Sequence, residues 1–372
     1  MKLFEDLVRT RTTQSGHRES KFQFLNESSW EWVEYYREVV EEWYSEFPDD
    51  LDFHNQFTSR NDWQHASAFF ELYIYTLFRK LGYRVYYHQS IGSRKMDLTI
   101  EKESSHKIMA DCVLSGEPNL DLSIEKIERE IEDIIEAVHS PTYWISVDFL
   151  RTSMTTPKLS AIRRTIEEEL SSLSLEIGEE KTITWWDDIW TIELSFFKKN
   201  PPTERSLGFV ASSQRGGAVD GPSMKILRRT LNSKRGSNYG VDCPYIIAVN
   251  SSNITLYSDL VKGVLFGDIK VPGFNNNLFV KNPFFYMDKP QNTSVSGILI
   301  VKGLYSSNMG VVEIELWDNP WCRHPIPDDL LDLTRYIPKV DESGRMEKIE
   351  SRPGKKPFEI LDIKENYINY DH

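Results

Sequence analysis

The sequence predicts an α/β protein, and three observations lead to that class. A helical pattern that is apolar almost all round covers residues 62–81, and three strand patterns with short polar connections follow it between residues 83 and 114. A strongly amphipathic helix at 124–138 then leads to a mostly apolar strand at 143–150. A buried helix, an antiparallel set of strands and a helical crossover to one more strand predict a three-layer core with a mixed sheet.

An N-terminal helical arm, residues 1–61, precedes this core. Residues 1–26 are polar and predict an irregular segment, and a helix is predicted from Glu27 to Phe47. Aromatic and aliphatic residues recur along that helix at helical spacing. This stripe favours packing against the core over the stacking of bases.

Further elements follow the core strand and complete the predicted domains. A helix at 157–173 and a hairpin at 182–197, with an Asp-Asp turn, extend the core to residue 200. The prolines and charges of 198–206 predict a boundary, because they cannot continue a central strand. A second α/β module at 201–337 and a charged tail at 338–372, expected to be an exposed end, complete the chain.

Composition places the chain among globular proteins and limits its partners. It has 372 residues, 40% of them hydrophobic and 27% charged, with a net charge of −13. No global basic field therefore attracts nucleic acid, although a nuclease needs only a small basic groove. Three widely spaced cysteines and the absence of an apolar run of 18 residues predict a cytoplasmic protein without a membrane partner.

Three carboxylates occupy positions that are unusual for acidic residues. Glu71 lies in the apolar helix, Asp97 at the head of the second strand and Asp111 in the third, otherwise apolar, strand. Buried acids are unfavourable unless they are paired, and a divalent cation would neutralise all three. Alternatively, Glu71 could form an ion pair with Arg79 or Arg94, and Asp97 could lie in a turn where it accepts backbone hydrogen bonds.

The order of these elements and acids resembles the PD-(D/E)XK nuclease superfamily, whose fold is restriction-endonuclease-like. Glu71 matches the acid of the family's helix, Met96-Asp97 stands where Pro-Asp is usual, and Asp111-Cys112-Val113 occupies the third motif. The resemblance covers residues 62–150. It implies a metal-dependent nuclease in which Glu71, Asp97 and Asp111 are catalytic and hold Mg²⁺ or Mn²⁺, in a role such as restriction, repair or anti-phage defence.

One position departs from the family pattern. Val113 stands where the family has a lysine that polarises the attacking water. Lys95, our candidate for a catalytic replacement, or Lys126 could reach the same space. Alternatively the metal alone could activate the water. The third interpretation is an inactive nuclease-like scaffold that binds nucleic acid or a protein partner.

The basic residues of the segment 223–236 are the candidate nucleic-acid contacts. They recur at helical spacing and could follow a phosphate backbone, with DNA as the expected partner. They are Lys225, Arg228, Arg229, Lys234 and Arg235. A solvated helix face is the alternative interpretation. A protein partner of the second module and a homodimer are further expected interactions.

Overall fold

The structure, a computed structural model, describes most of the chain and divides into two compact units. The described residues are 1–13, 15, 19–91, 94–102, 106–115, 118–200, 202, 206, 222–235, 242–251, 256–269, 278–279, 283–286, 289–328 and 332–367. Unit 1 contains residues 1–14, 20–116 and 218–372, and unit 2 contains residues 15–19 and 117–217. Each unit is a separate body with its own core.

Within the described residues, four helices come first, helices and strands alternate in the middle of the chain, and strands dominate its last third. The helices in the described ranges are α1 (Lys21–Glu27), α2 (Glu31–Ser45), α3 (Leu51–Phe57), α4 (Asp62–Lys80), α5 (Pro118–Glu136), α6 (Leu159–Ser172), α7 (Pro222–Ser233), α8 (Ser258–Phe266) and α9 (Pro357–Leu361). The strands are β1 (Arg84–Ile91), β2 (Arg94–Lys102), β3 (His106–Leu114), β4 (Tyr143–Arg151), β5 (Glu180–Trp186), β6 (Thr191–Lys198), β7 (Tyr245–Asn250), β8 (Asp268–Ile269), β9 (Leu278–Phe279), β10 (Gly297–Lys302), β11 (Glu313–Asp318), β12 (Thr334–Val340) and β13 (Met346–Arg352). None of these described helices has the length and apolar character that crossing a membrane requires.

Unit 1 is built on an eight-stranded mixed sheet, which confirms the predicted α/β class. The strand order is β1-β2-β3-β7-β10-β11-β12-β13. The first three strands form an antiparallel meander, and β7 and β10 then run parallel to β3. Parallel neighbours need a crossover connection, and the helix before β7 is α7.

Helices cover both faces of this sheet and give it three layers. Alternate residues of β7 belong to two different cores: Ile246 and Ala248 pack with α2 to α4, whereas Ile247 and Val249 pack with α7 and α8. All six residues of β7 are buried. A central strand that is apolar on both faces is expected when helices lie on each side of the sheet.

The connection from β3 to the next strand of the sheet differs from the prediction. The sequence pattern assigned it to the helix at 124–138 and the strand at 143–150, but β4 pairs with β6 in unit 2. Strand β7 pairs with β3 instead, so α7 and β7, predicted as parts of a second module, complete the sheet. The predicted domains 62–200 and 201–337 therefore do not coincide with the two units. Sequence periodicity identifies strands but does not specify their partners.

Unit 2 is a small α/β body. Its three-stranded sheet has the order β4-β6-β5, and α5 and α6 supply isoleucines to its core. The predicted hairpin at 182–197 is confirmed, since β5 and β6 are antiparallel and the Asp187 side chain accepts from the backbone N–H groups of Ile189 and Trp190. This carboxylate closes the turn in place of a backbone acceptor.

Both ends of the chain contain more structure than the sequence predicted. The arm includes α1, whose N-cap Ser20 accepts from the backbone N–H of Gln23. In α2 the residues Val33, Val40 and Trp43 are buried, so the aromatic stripe packs in the core. The predicted tail holds β13 and α9, with Ile360 and Leu361 buried. Many charged residues of this tail are exposed, and a few buried apolar residues anchor its elements.

A buried histidine in α4 should make an acid-sensitive contribution to the stability of unit 1. His65 packs against Phe57 and contacts its carbonyl oxygen at 2.6 Å through Nδ1, and burial lowers the pKa of His65 from 6.5 to about 4. The unfolded state therefore binds this proton first, so the contribution of His65 to stability should fall by about 3 kcal/mol as pH falls from 6.5 to about 4. The raised pKa values of Glu71 and Asp97 act with the opposite sign, so the contribution of His65 is measured as a difference between variants. Denaturant unfolding at several pH values measures this loss.

The matched variants are His65→Asn, whose amide can still donate to Phe57, and His139→Asn at an exposed histidine. We expect the stability of His65→Asn, relative to that of His139→Asn, to rise by about 3 kcal/mol as pH falls from 6.5 to about 4, because only the second variant keeps the buried imidazole. Equal slopes in the two variants would contradict the assignment.

Candidate active site

Two aspartates face each other where strands β2 and β3 separate. The pairing between these strands ends at Leu98 and Ala110, so Asp97 and Asp111 occupy the next opposed positions. Beyond this point β2 stays paired with β1, and β3 stays paired with β7. The Asp97 Oδ2 atom bridges the start of the opening by accepting from the backbone N–H of Cys112 at 2.9 Å. The sheet therefore forks at the two carboxylates.

Helix α4 brings the third carboxylate, Glu71, to this fork. The helix begins at the N-cap Asn61, and the residue after its C-cap, Gly82, has a φ of 87°, as predicted from the glycine. All residues from Ala68 to Phe78 are buried, and Glu71 retains only 8% of its exposure. Its Oε2 atom accepts from the Tyr87 hydroxyl at 2.8 Å. A neighbouring strand thus fixes the orientation of this acid.

A lysine that the sequence predicted to bind DNA lies beside the carboxylates of Asp97 and Asp111. Lys234 follows the last residue of α7, and its Nζ atom is 3.6 Å from Asp111 Oδ2 and 3.9 Å from Asp97 Oδ2. The Tyr245 hydroxyl lies 3.0 Å from both Asp111 Oδ2 and the Lys234 carbonyl oxygen. Strand β7 therefore positions both the lysine backbone and one aspartate. We call Glu71, Asp97, Asp111 and Lys234 the carboxylate–lysine cluster.

Burial raises the pKa of two carboxylates of the cluster, Glu71 and Asp97, and neighbouring acids add to the shift. Burial, and then the field of Asp97, raises the pKa of Glu71 to about 8. Burial also raises the pKa of Asp97 to about 6, although Lys234 opposes the shift and Asp111 adds to it. Burial alone would lower the pKa of Lys234, but Asp97 and Asp111 hold it above its usual value. The cluster thus carries more negative charge than one ammonium neutralises.

The other predicted basic residues are dispersed. Lys95 is exposed, and its field on Asp97 is the weakest of those that shift the pKa of that acid. Lys126 belongs to α5 in unit 2. Arg229 and Arg235 are exposed and Arg228 is half-buried. The side chain of Lys225 lies outside the described residues.

Sequence reasoning missed Lys234, Tyr245 and Tyr87 as parts of the site. The signal for the first two was partly present, because the basic residues of 223–236 recur at helical spacing and residues 243–252, CPYIIAVNSS, have the apolar pattern of a buried strand. The sequence did not predict the parallel pairing of β7 with β3. This pairing places the end of the preceding helix, α7, beside Asp111. Tyr87 has no distinguishing sequence signal among the aromatic residues of β1.

The donor chemistry of the cluster fits a hard divalent cation. Magnesium prefers carboxylate oxygens and is commonly held by one or two carboxylates together with water and substrate phosphate. Asp97 and Asp111 offer two such groups at the fork, and Glu71 is near enough for the field of Asp97 to raise its pKa further after burial has done so. In the described parts of the chain no three His, Cys, Asp or Glu side chains are arranged as ligands of one ion. A metal site at the fork would use Asp97 and Asp111, which occupy opposed positions on β2 and β3.

Comparisons with known proteins add no assignment. Neither a protein-family model, nor a curated protein, nor a solved structure matches the chain. The function proposed below is therefore argued from the geometry of the cluster and from the resemblance of its motifs.

Proposed function

We propose that the protein is a metal-dependent nuclease that hydrolyses phosphodiester bonds in nucleic acid, with Mg²⁺ or Mn²⁺ as cofactor. The observation that carries this proposal is the fork between β2 and β3, where Asp97 and Asp111 oppose each other beside the Lys234 ammonium. Carboxylates for a cation and an ammonium for a phosphate are the complementary groups that phosphodiester hydrolysis requires.

The surrounding elements support a restriction-endonuclease-like core. That core, as the resemblance implies it, has a helix bearing an acid, an antiparallel meander and a helical crossover to a further strand. In unit 1 these elements are α4, β1 to β3, α7 and β7, the last parallel to β3. We infer that α7 and β7, and not the elements of unit 2, take the crossover role.

The two aspartates and the lysine of the cluster have different tasks in this proposal. Asp97 and Asp111 would hold the ion, and Tyr245 and the Cys112 N–H fix their oxygens. A bound Mg²⁺ or Mn²⁺ would polarise the phosphate and lower the pKa of a water molecule. Lys234 presents a positive charge to the phosphate oxygens, where negative charge increases in the transition state. It would thus fill the role of the lysine that Val113 replaces.

An inactive scaffold that binds nucleic acid or a protein partner is the second candidate. The observation in its favour is that Lys234 already neutralises part of the charge of Asp97 and Asp111 without any ion. A buried ion pair of this kind can persist as a structural element. The two candidates differ in one property, the affinity of the cluster for a divalent cation.

Thermal stabilisation by Mn²⁺ distinguishes the candidates. An ion that binds the folded state at a hundred times its Kd stabilises that state by about 2.7 kcal/mol, so we expect Tm to rise by several degrees. The rise should be lost in Asp97→Asn and Asp111→Asn and kept in Glu347→Gln, which alters an exposed acid of β13. A wild-type Tm that does not respond to Mn²⁺, or an equal response in all variants, would favour the scaffold.

A further inference from the structure

Helix α7 lines a second feature of unit 1, a cleft of about 320 Å³. Arg228, Asn232 and Arg235 form one side of the cleft, and Gln291 and Asn292 contribute to the other. Arg228 and Asn232 are four residues apart and so lie on one face of α7, and Arg235 lies two residues beyond the end of the helix. The volume is at the lower end of the range for small-molecule sites, about 300–1,000 Å³.

The cleft is strongly cationic for a protein of net charge −13. It has two arginines and no acidic side chain among the described residues that line it. Arg235 donates from Nε and Nη2 to Asn232 Oδ1, at 3.0 and 2.7 Å, which orients its guanidinium. The Arg228 Nε atom is buried and has no hydrogen-bond partner within the described residues. A buried donor of this kind favours an anionic ligand.

The opposite wall combines fixed amides with an apolar surface. Asn292 donates from Nδ2 to the Phe284 carbonyl oxygen at 2.7 Å, and the Gln291 backbone N–H donates to Phe285. Pro283 and Phe284 add the apolar surface. Arginines bind phosphate in a bidentate manner, and side-chain amides pair with the edges of bases. These groups together suit a nucleotide better than a simple anion.

The cleft and the carboxylate–lysine cluster share one short segment. Arg235 and Asn232, which line the cleft, lie one and two residues from Lys234, which contacts the aspartates. Side chains of this one segment therefore reach both the cluster and the cleft. A strand with one phosphate at the cluster could therefore place a neighbouring nucleotide in the cleft.

We infer that the cleft is a nucleotide subsite that holds a nucleoside monophosphate unit of the substrate strand adjacent to the bond that is cut. Arg228 and Arg235 bind the phosphate, and the amides of Asn232 and Gln291 contact the base. The statement that the bound nucleotide belongs to a substrate strand rests on the proposed function. Nucleotide binding itself does not require cleavage.

The experiment uses the full chain with Asp97→Asn, so that no strand is cut during the measurement. Calorimetry measures the affinity for deoxyadenosine 5′-monophosphate, for deoxyadenosine and for inorganic phosphate. Arg228→Gln and Arg235→Gln should each weaken monophosphate binding about tenfold or more, because each removes charge-assisted hydrogen bonds. Arg84→Gln, which removes the same charge from an exposed position of β1, should change it less than twofold.

A second measurement tests whether the cleft binds a nucleotide that is part of a strand as well as a free nucleotide. Fluorescence anisotropy follows a labelled single-stranded oligonucleotide, and deoxyadenosine 5′-monophosphate should displace it if both use the cleft. Equal losses in Arg228→Gln and Arg84→Gln would overturn the inference. Oligonucleotide binding that the monophosphate does not displace would also overturn it. If the protein binds the monophosphate but the wild type cleaves no strand, the cleft is still a nucleotide site. The proposed nuclease function is then rejected.

Discussion

Replacing Asp97 by asparagine should reduce cleavage of nucleic acid by at least about a hundredfold, because even residues that only orient a metal ligand commonly contribute 10- to 100-fold. Asparagine keeps the side-chain oxygen that accepts from the Cys112 N–H, so the fork should retain its shape. The substitution removes a negative charge beside Glu71 and Asp111. Affinity for nucleic acid should therefore stay the same or increase.

The measurement is a cleavage time course together with anisotropy on the same oligonucleotide. Glu347→Gln, an exposed change in β13, controls for the loss of one negative charge. Cleavage by Asp97→Asn at the wild-type rate would remove this aspartate from the mechanism. A parallel loss of binding and cleavage would indicate misfolding or a binding role.

Replacing Lys234 by methionine should produce the second large effect, a loss of about 10²- to 10³-fold in the cleavage rate, comparable to the removal of one preorganised charge donor. Methionine keeps much of the length of the side chain but removes the ammonium that lies 3.6 Å from Asp111. The buried acids can bind protons in its absence, since the pKa values of Glu71 and Asp97 are already raised. The fold should therefore tolerate the change.

Lys95→Met and Lys107→Met are the matched controls, because both lysines lie on the strands of the fork and are exposed. Each should lower the rate much less than Lys234→Met does. The rate is measured with enzyme and ion in excess, so that weaker binding of the strand does not contribute. A larger loss in Lys95→Met would return the catalytic role to the residue that the sequence alone suggested.

The sequence was sufficient for the local elements of the candidate site. The apolar pattern and the terminal glycine predicted α4, and the alternation of apolar residues predicted the strands that carry Asp97 and Asp111. A carboxylate among apolar strand neighbours is costly to bury, so its presence alone indicated a site. These inferences depend on contacts that are close in sequence.

The long-range pairing could not be predicted in the same way. Strand β7 lies more than 130 residues from β3, and unit 2 is inserted between them. The apolar strand at 143–150 satisfied the expected pattern equally well, and nothing in its residues distinguishes a partner of β3 from a partner of β6. Because Lys234 reaches the cluster only through that pairing, its place in the site followed from the structure and not from the sequence.

The central proposal is that the carboxylate–lysine cluster hydrolyses phosphodiester bonds with a divalent ion. Its most direct test is the rate of cleavage as a function of Mg²⁺ concentration, with labelled duplex DNA, single-stranded DNA and RNA as substrates. We expect at least one substrate to be cut at a rate that rises to a plateau with Mg²⁺ and falls to zero with a chelator. The proposal would be contradicted if folded protein formed no product from any of the three substrates at any concentration of Mg²⁺ or Mn²⁺.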